Sequence, residues 1–134
     1  MNKKEWLIPI LIVAINALAI IVRWSSLPEL LPAHFDLDGN AGGSMSRNML
    51  LLHPLIGAAI CLGAYHIAHV KPRFHRGLIV LSSGFGLIML SSSMVTLTSG
   101  TMPVFMLAEP VILLAALVGF GVSLPNALAK AHKK

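Results

Sequence analysis

The sequence predicts an all-α integral membrane protein: a four-helix bundle with both termini in the cytoplasm (N-in/C-in) and an ordered outer loop between helices one and two. Of the 134 residues, 56% are hydrophobic and only 11% are charged, whereas a soluble domain has about 25% charged residues. Four apolar runs are each near the ~20 residues that a helix needs to cross a bilayer. Lipid cannot pair backbone groups and the sequence shows no alternating strand pattern, so these runs are expected to be helices of one membrane domain over residues 1–134.

The first predicted helix covers about residues 6 to 24. Lys3 and Lys4 precede it, as in a signal peptide, but the apolar run is long for one and no small-x-small cleavage site follows. We therefore expect a retained membrane anchor. Asn16 is polar in the middle of this run, and its amide is expected to form an interhelical hydrogen bond.

The other three helices are predicted at about residues 49 to 70, 77 to 98 and 102 to 124. The short connection at residues 99 to 101 predicts that helices three and four form an antiparallel pair. Two glycine pairs fall within these helices, Gly84 with Gly86 and Gly119 with Gly121. Small residues allow membrane helices to approach closely, so these glycines are expected at helix contacts.

The orientation follows from the basic residues, because cytoplasmic loops of membrane proteins are enriched in lysine and arginine. Basic residues occur at the N-terminus, between helices two and three and at the C-terminus: Lys3, Lys4, Lys71, Arg73, Arg76, Lys130, Lys133 and Lys134. The loop at residues 25 to 48 carries three acidic residues against one arginine. This pattern predicts N-in/C-in topology, with lipid as the main partner. No basic stripe with interleaved aromatics is present, so the net charge of +5 does not indicate nucleic-acid binding.

The loop at residues 25 to 48 is rich in residues that end helices and form turns. Pro28 and Pro32 prevent helix one from continuing. Asp38, Gly39 and Asn40 form a strong turn signal. Ser46 precedes the second apolar run and is suited to cap its helix. We expect the loop to form a compact cap on the outer end of the bundle.

Residues 31 to 36 read Leu-Pro-Ala-His-Phe-Asp, followed by Gly39 and by residues 44 to 47. This segment, just after a first membrane helix, resembles the signature of a bacterial family of unknown function that forms the N-terminal module of SdpI-type immunity proteins. Those proteins protect a producing cell from a secreted toxin. The resemblance implies a multi-pass protein of the bacterial inner membrane, with a protective or regulatory role and a toxin peptide as a partner.

Polar residues concentrate on the predicted outer side of the bundle. Glu109 lies within helix four, where a carboxylate costs about 2.5–3.5 kcal/mol at the membrane centre and by default indicates a functional site. His53 lies near the outer end of helix two, and the serine run 91–93 lies in the outer half of helix three. We therefore predict an outward-facing polar pocket roofed by the loop. Its expected ligand-binding residues are His34, Asp36, Gly39, His53 and Glu109.

Several uses of that pocket stay open. It fits an external ligand, either a toxin peptide or a lipid headgroup. His34, His53 and Glu109 are suitable zinc ligands by residue type, but no local HxxH or CxxC pattern joins them, so no metal or other cofactor is predicted. A proton-coupled transporter or channel subunit and an accessory subunit of a larger membrane complex are the alternatives, and both allow an oligomer. No catalytic motif is present, so the chain is not expected to be an enzyme. His34 either binds the ligand or fixes the loop by hydrogen bonds, and its neighbours Pro32 and Phe35 favour the second role.

Overall fold

The structure is a computed structural model, which describes residues 2–36, 38, 40–98 and 104–129, without the side chains of residues 104–107 and 126–127. Its main helices are α1 (Leu7–Arg23), α2 (Leu52–Val70), α3 (His75–Leu97) and α4 (Val104–Ala129). Short 3-10 turns precede or follow them at Lys3–Trp6, Trp24–Ser26, Arg47–Leu51 and Pro72–Phe74. Two strands, β1 (Leu30–Phe35) and β2 (Ala41–Ser46), connect α1 to α2.

Within the described residues, four helical segments are long and apolar enough to cross a membrane. They are Lys3–Ser26, Arg47–Val70, Pro72–Leu97 and Ala108–Pro125. The four predicted helices are therefore confirmed, and the span ends lie up to six residues from those expected. The predicted turn at residues 99–101 lies outside the described residues. The molecule is thus a small multi-pass membrane protein by the length and composition of its helices.

The predicted all-α class lacks one element, because the loop between α1 and α2 forms an antiparallel β-hairpin. Its register pairs Leu31 with Met45 and His34 with Gly42. Leu31 is buried and Met45 half-buried, while Leu30 and Ser46 beside them are exposed. This alternation gives the hairpin one face on the bundle and one face in solvent. The turn residues of the loop were evident in the sequence, whereas the pairing of the segments on either side was not predicted.

Helix α3 is central, since it contacts each of the other three helices. Glycines make these contacts close: a Cβ added at Gly84 would overlap the Ala116 side chain of α4, and one at Gly86 would touch Ile12 of α1. A Cβ at Gly119 would likewise crowd Val80. The expectation of close packing is confirmed at these three glycines and is wrong at Gly121, where an added Cβ meets nothing within 4 Å.

Two apolar clusters lie at opposite ends of α1 and α3. At the hairpin end, the β-hairpin and the adjoining helix ends bury Ile20, Leu27, Leu31, Leu50 and Leu97. At the other end, called the Trp6 end, the cluster consists of Trp6, Cys61, Ala64, Ala68 and Ile79. Large apolar side chains elsewhere on the helices, such as Ile21, Leu62 and Leu114, are 64–69% exposed. Such surfaces suit a bilayer rather than water.

Candidate functional site

The tip of the hairpin is organised by one carboxylate, that of Asp36. Its Oδ1 accepts hydrogen bonds from the backbone N–H of Asp38 at 3.1 Å and of Asn40 at 2.7 Å. Its Oδ2 accepts one from Asn40 Nδ2 at 3.0 Å, and the backbone N–H of Asp36 donates to the Asn40 carbonyl at 3.0 Å. An aspartate that bonds the backbone two and four residues on fixes a turn. Asp36, predicted as a ligand-binding residue, therefore shapes the tip.

His34 lies on the exposed face of the hairpin, opposite Gly42. Its ring covers Gly42 so closely that a Cβ added there would overlap Nε2. A Cβ added at Gly43 would lie 3.6 Å from the nearest ring atom. Gly43 has a φ of 64°, a conformation that glycine adopts without strain. Gly42 thus provides the space in which the imidazole lies, and Gly43 provides the backbone conformation beside it. This placement puts His34 on the surface, where an external molecule can reach it.

The base of the hairpin is held by Arg47. Its backbone N–H donates to the Glu29 carbonyl at 2.9 Å, and its Nη1 donates to the Leu27 carbonyl at 3.3 Å. The guanidinium carbon lies 5.2 Å from the centre of the Trp24 ring, within the range of a cation–π interaction. As predicted, Ser46 caps the helix that starts here, accepting from Asn48 N at 3.4 Å.

A shallow surface depression of about 180 Å³ lies at this base, lined by Glu29, Ser46, Arg47 and Asn48. None of the predicted site residues lines it. Glu29 and Arg47 were not predicted as site residues; their charges contributed to the predicted topology. A signal was present, because Arg47 and Trp24 stand at the two ends of the loop and both residue types are common at membrane interfaces.

His53 lies within the second span and contacts α3, with its Nδ1 2.9 Å from the Ser93 hydroxyl oxygen. The Ser93 hydroxyl donates to the Met89 carbonyl of its own helix, so the imidazole Nδ1–H is then the donor to Ser93. Thr96 and Thr98 likewise donate to carbonyls one turn earlier. The hydroxyls of Ser93, Thr96 and Thr98 are therefore hydrogen-bonded along α3 itself.

Glu109 is half-buried in α4, immediately before Pro110, and Gly39 lies outside the described residues. Two predicted site residues, His34 and Asp36, thus lie on the hairpin, and two, His53 and Glu109, lie on membrane-spanning helices. Across the described part of the chain, no three His, Cys, Asp or Glu side chains are grouped closely enough to hold a metal ion.

A polar cluster at the Trp6 end was missed by the sequence analysis. Trp6 Nε1 donates to His75 Nδ1 at 3.3 Å, and His75 Nε2 lies 3.1 Å from Glu5 Oε2. Tyr65 meets the Trp6 ring edge-on at 5.3 Å between centroids. A signal was available, because Trp6 begins the first predicted helix and His75 lies among the basic residues between helices two and three. The N-in/C-in prediction puts both positions at the same end of the bundle.

Comparison with known proteins finds a match for the part of the chain that contains the hairpin. Residues 11–58 fit the family model of a domain of unknown function, DUF1648. This range contains most of α1, the whole hairpin and the first turns of α2, and hence the hairpin tip and base described above. No curated protein and no solved structure matches the chain.

Proposed function

We propose that this chain is a small bacterial inner-membrane protein whose hairpin recognises an external peptide toxin in a protective role. The observation that carries the proposal is an exposed polar hairpin fixed rigidly to the membrane helices. Binding surfaces that are already ordered lose less entropy when a ligand arrives.

Burial and hydrogen bonding both support that rigidity. Leu31 of β1 is 3% exposed and packs with Leu27 and Leu50 in the hairpin-end cluster. Arg47 ties the end of β2 to the backbone of Glu29 and Leu27. A two-stranded hairpin alone is marginally stable in water, so these anchors are what give it a defined surface.

The residues of the hairpin have different proposed roles. His34 is the contact residue, because its ring is exposed and carries nitrogen atoms that can donate or accept hydrogen bonds. Asp36 is a positioning residue that sets the shape of the tip. Gly39, His53 and Glu109 are proposed to contribute from the tip and from the spans beneath it. The N-in/C-in topology, proposed from the basic residues, places the hairpin outside the cell where a secreted toxin arrives.

The test is a toxin challenge of sensitive bacteria that produce the chain, using the secreted toxin of an SdpI-type system. We expect wild type to increase survival and His34→Ala to reduce that protection at least tenfold. His66→Ala is the matched control, since His66 is an exposed histidine of α2 far along the helix from the hairpin. Membrane levels of each variant are measured by immunoblot. No protection by wild type, or full protection by His34→Ala at equal levels, would contradict the proposal.

A further inference from the structure

We infer that the depression at the base of the hairpin binds the zwitterionic headgroup of a phospholipid, namely phosphoethanolamine. The inference does not depend on the toxin proposal, since it concerns Glu29, Ser46, Arg47 and Asn48 and none of the residues assigned to toxin recognition. It depends on where the depression lies, on its two opposite charges and on its free hydrogen-bonding groups.

The depression lies at the level where membrane and water meet. The first span ends at Ser26 and the second begins at Arg47, so Glu29 and Arg47 are each within three residues of a span end. Trp24, whose ring stacks with the Arg47 guanidinium, is of the residue type that anchors helices at the headgroup level. A ligand in this depression is therefore at the depth of lipid headgroups.

The depression carries one acid and one base that form no salt bridge with each other in the described structure. Glu29 and Arg47 both line it, and the Arg47 backbone bonds the Glu29 carbonyl. Among the described residues, however, no salt bridge joins Glu29 to Arg47. Two opposite charges kept apart along one small depression match a ligand that itself carries separated opposite charges.

Hydrogen-bonding groups remain for such a ligand. A guanidinium has five N–H donors. In the described part of the structure, that of Arg47 donates one hydrogen bond, to the Leu27 carbonyl. The Ser46 hydroxyl accepts from Asn48 N, which leaves its own proton for donation. Arg47 and Ser46 therefore suit a phosphate, which accepts strong charge-assisted hydrogen bonds. The exposed Glu29 carboxylate suits an ammonium group, which is a donor only.

This pairing selects among phospholipids. The primary ammonium of phosphoethanolamine donates N–H bonds to a carboxylate, whereas the quaternary ammonium of phosphocholine has none to donate. Phosphoglycerol offers no cation to Glu29, and its phosphate would face an uncompensated carboxylate. We therefore expect ethanolamine lipids to be preferred over both choline and glycerol lipids.

The first experiment measures which lipid lies beside Trp24. Trp6→Phe leaves Trp24 as the single tryptophan. This variant is placed in phosphatidylcholine nanodiscs that contain a fixed fraction of one brominated lipid. Three samples are compared, in which that lipid is phosphatidylethanolamine, phosphatidylcholine or phosphatidylglycerol. We expect the Trp24 fluorescence to be quenched most by the brominated ethanolamine lipid. The quenching should correspond to a local concentration of that lipid at least threefold higher than that of either other lipid. Glu29→Gln is expected to abolish this preference, while Arg23→Gln, which removes an exposed arginine at the adjacent end of α1, retains it.

A second measurement needs no tryptophan substitution. Native mass spectrometry of wild type in mixed lipid counts retained phospholipids, and we expect one ethanolamine lipid per chain that Glu29→Gln loses. Equal quenching by the three lipids, a preference for phosphatidylglycerol, or an ethanolamine preference that survives Glu29→Gln would each overturn the inference. So would binding of soluble glycerophosphoethanolamine without any enrichment of the intact lipid, since the ligand would then be a free metabolite.

Discussion

Trp6 Nε1 donates a hydrogen bond to His75 Nδ1 at 3.3 Å, although 69 positions separate the two residues in the chain. An indole N–H is a donor only, so Nδ1 must be the acceptor and the imidazole carries its proton on Nε2. That Nε2–H then donates to Glu5 Oε2 at 3.1 Å. Trp6 is 2% and His75 8% exposed. The chain Trp6–His75–Glu5 thus joins the start of α1 to the start of α3.

Removing the indole donor should destabilise this junction. Trp6→Phe keeps an aromatic ring but leaves the buried Nδ1 of His75 without a partner, which costs about 1–3 kcal/mol. We expect a lower midpoint of thermal unfolding in detergent, followed by circular dichroism. Glu5→Gln is the comparison variant: its side-chain oxygen still accepts from Nε2, so its effect should be smaller. An unchanged unfolding midpoint in Trp6→Phe would show that the hydrogen bond from Trp6 to His75 does not stabilise the fold.

Gly84 should be intolerant of a single methyl group. A Cβ at this position would overlap the Ala116 side chain, which is too short to rotate away, so α3 and α4 would have to separate. Such overpacking typically costs about 1–3 kcal/mol. Gly63→Ala is the matched control because a Cβ there meets nothing within 4 Å, and alanine favours a helix over glycine. Equal unfolding midpoints for the two variants would contradict the close α3–α4 contact.

The position of the His34 ring should depend on Gly42. In Gly42→Ala the new methyl group occupies the space of the ring, so the imidazole must swing away while the strand pairing persists. We expect a changed His34 ring signal in the NMR spectrum of the detergent-solubilised protein and reduced toxin protection. The double variant His34→Ala/Gly42→Ala should protect no worse than His34→Ala alone. A further loss in the double variant would indicate that Gly42→Ala damages the hairpin itself.

Asn16 should be replaceable by leucine. The residue is 1% exposed, and its Oδ1 has no hydrogen-bond partner among the described residues, so the expected interhelical bond to this oxygen is not formed there. A buried amide without a full set of partners is unfavourable. Asn16→Leu, similar in volume, should therefore match or exceed the wild-type unfolding midpoint, while Asn16→Ala, which leaves a cavity, should lower it. If Asn16→Leu unfolds at a lower temperature than wild type, the Asn16 amide makes a contact that stabilises the fold.

The proposed N-in/C-in topology can be tested by cysteine labelling. Cys61 is the single cysteine of the sequence and is buried, so Cys61→Ser gives an unreactive background. In intact cells, a membrane-impermeant maleimide should label Asp38→Cys at the hairpin tip and should leave Lys3→Cys unlabelled until the cells are broken. Labelling of Lys3→Cys in intact cells would reverse the proposed orientation and place the hairpin in the cytoplasm.

The sequence by itself determined the membrane spans and much of the local loop chemistry. Whether a 20-residue run can cross lipid depends on its own composition and length, which is why four spans were predicted near their observed ends. The cap at Ser46 and the bonds of Asp36 to Asp38 and Asn40 are likewise local, since each joins residues at most four positions apart.

The tertiary structure alone decided which polar residues meet. In a membrane helix nearly every face is apolar, so the sequence pattern does not show which face packs on a neighbour. Gly84 and Gly121 look alike in sequence, yet an added Cβ would meet a neighbouring helix at Gly84 and, among the described residues, nothing at Gly121. The contacts of Trp6 with His75, of His53 with Ser93 and of Arg47 with Leu27 span 69, 40 and 20 positions. Contacts at such separations depend on how the helices pack around α3, and packing is a property of the whole bundle rather than of any one segment.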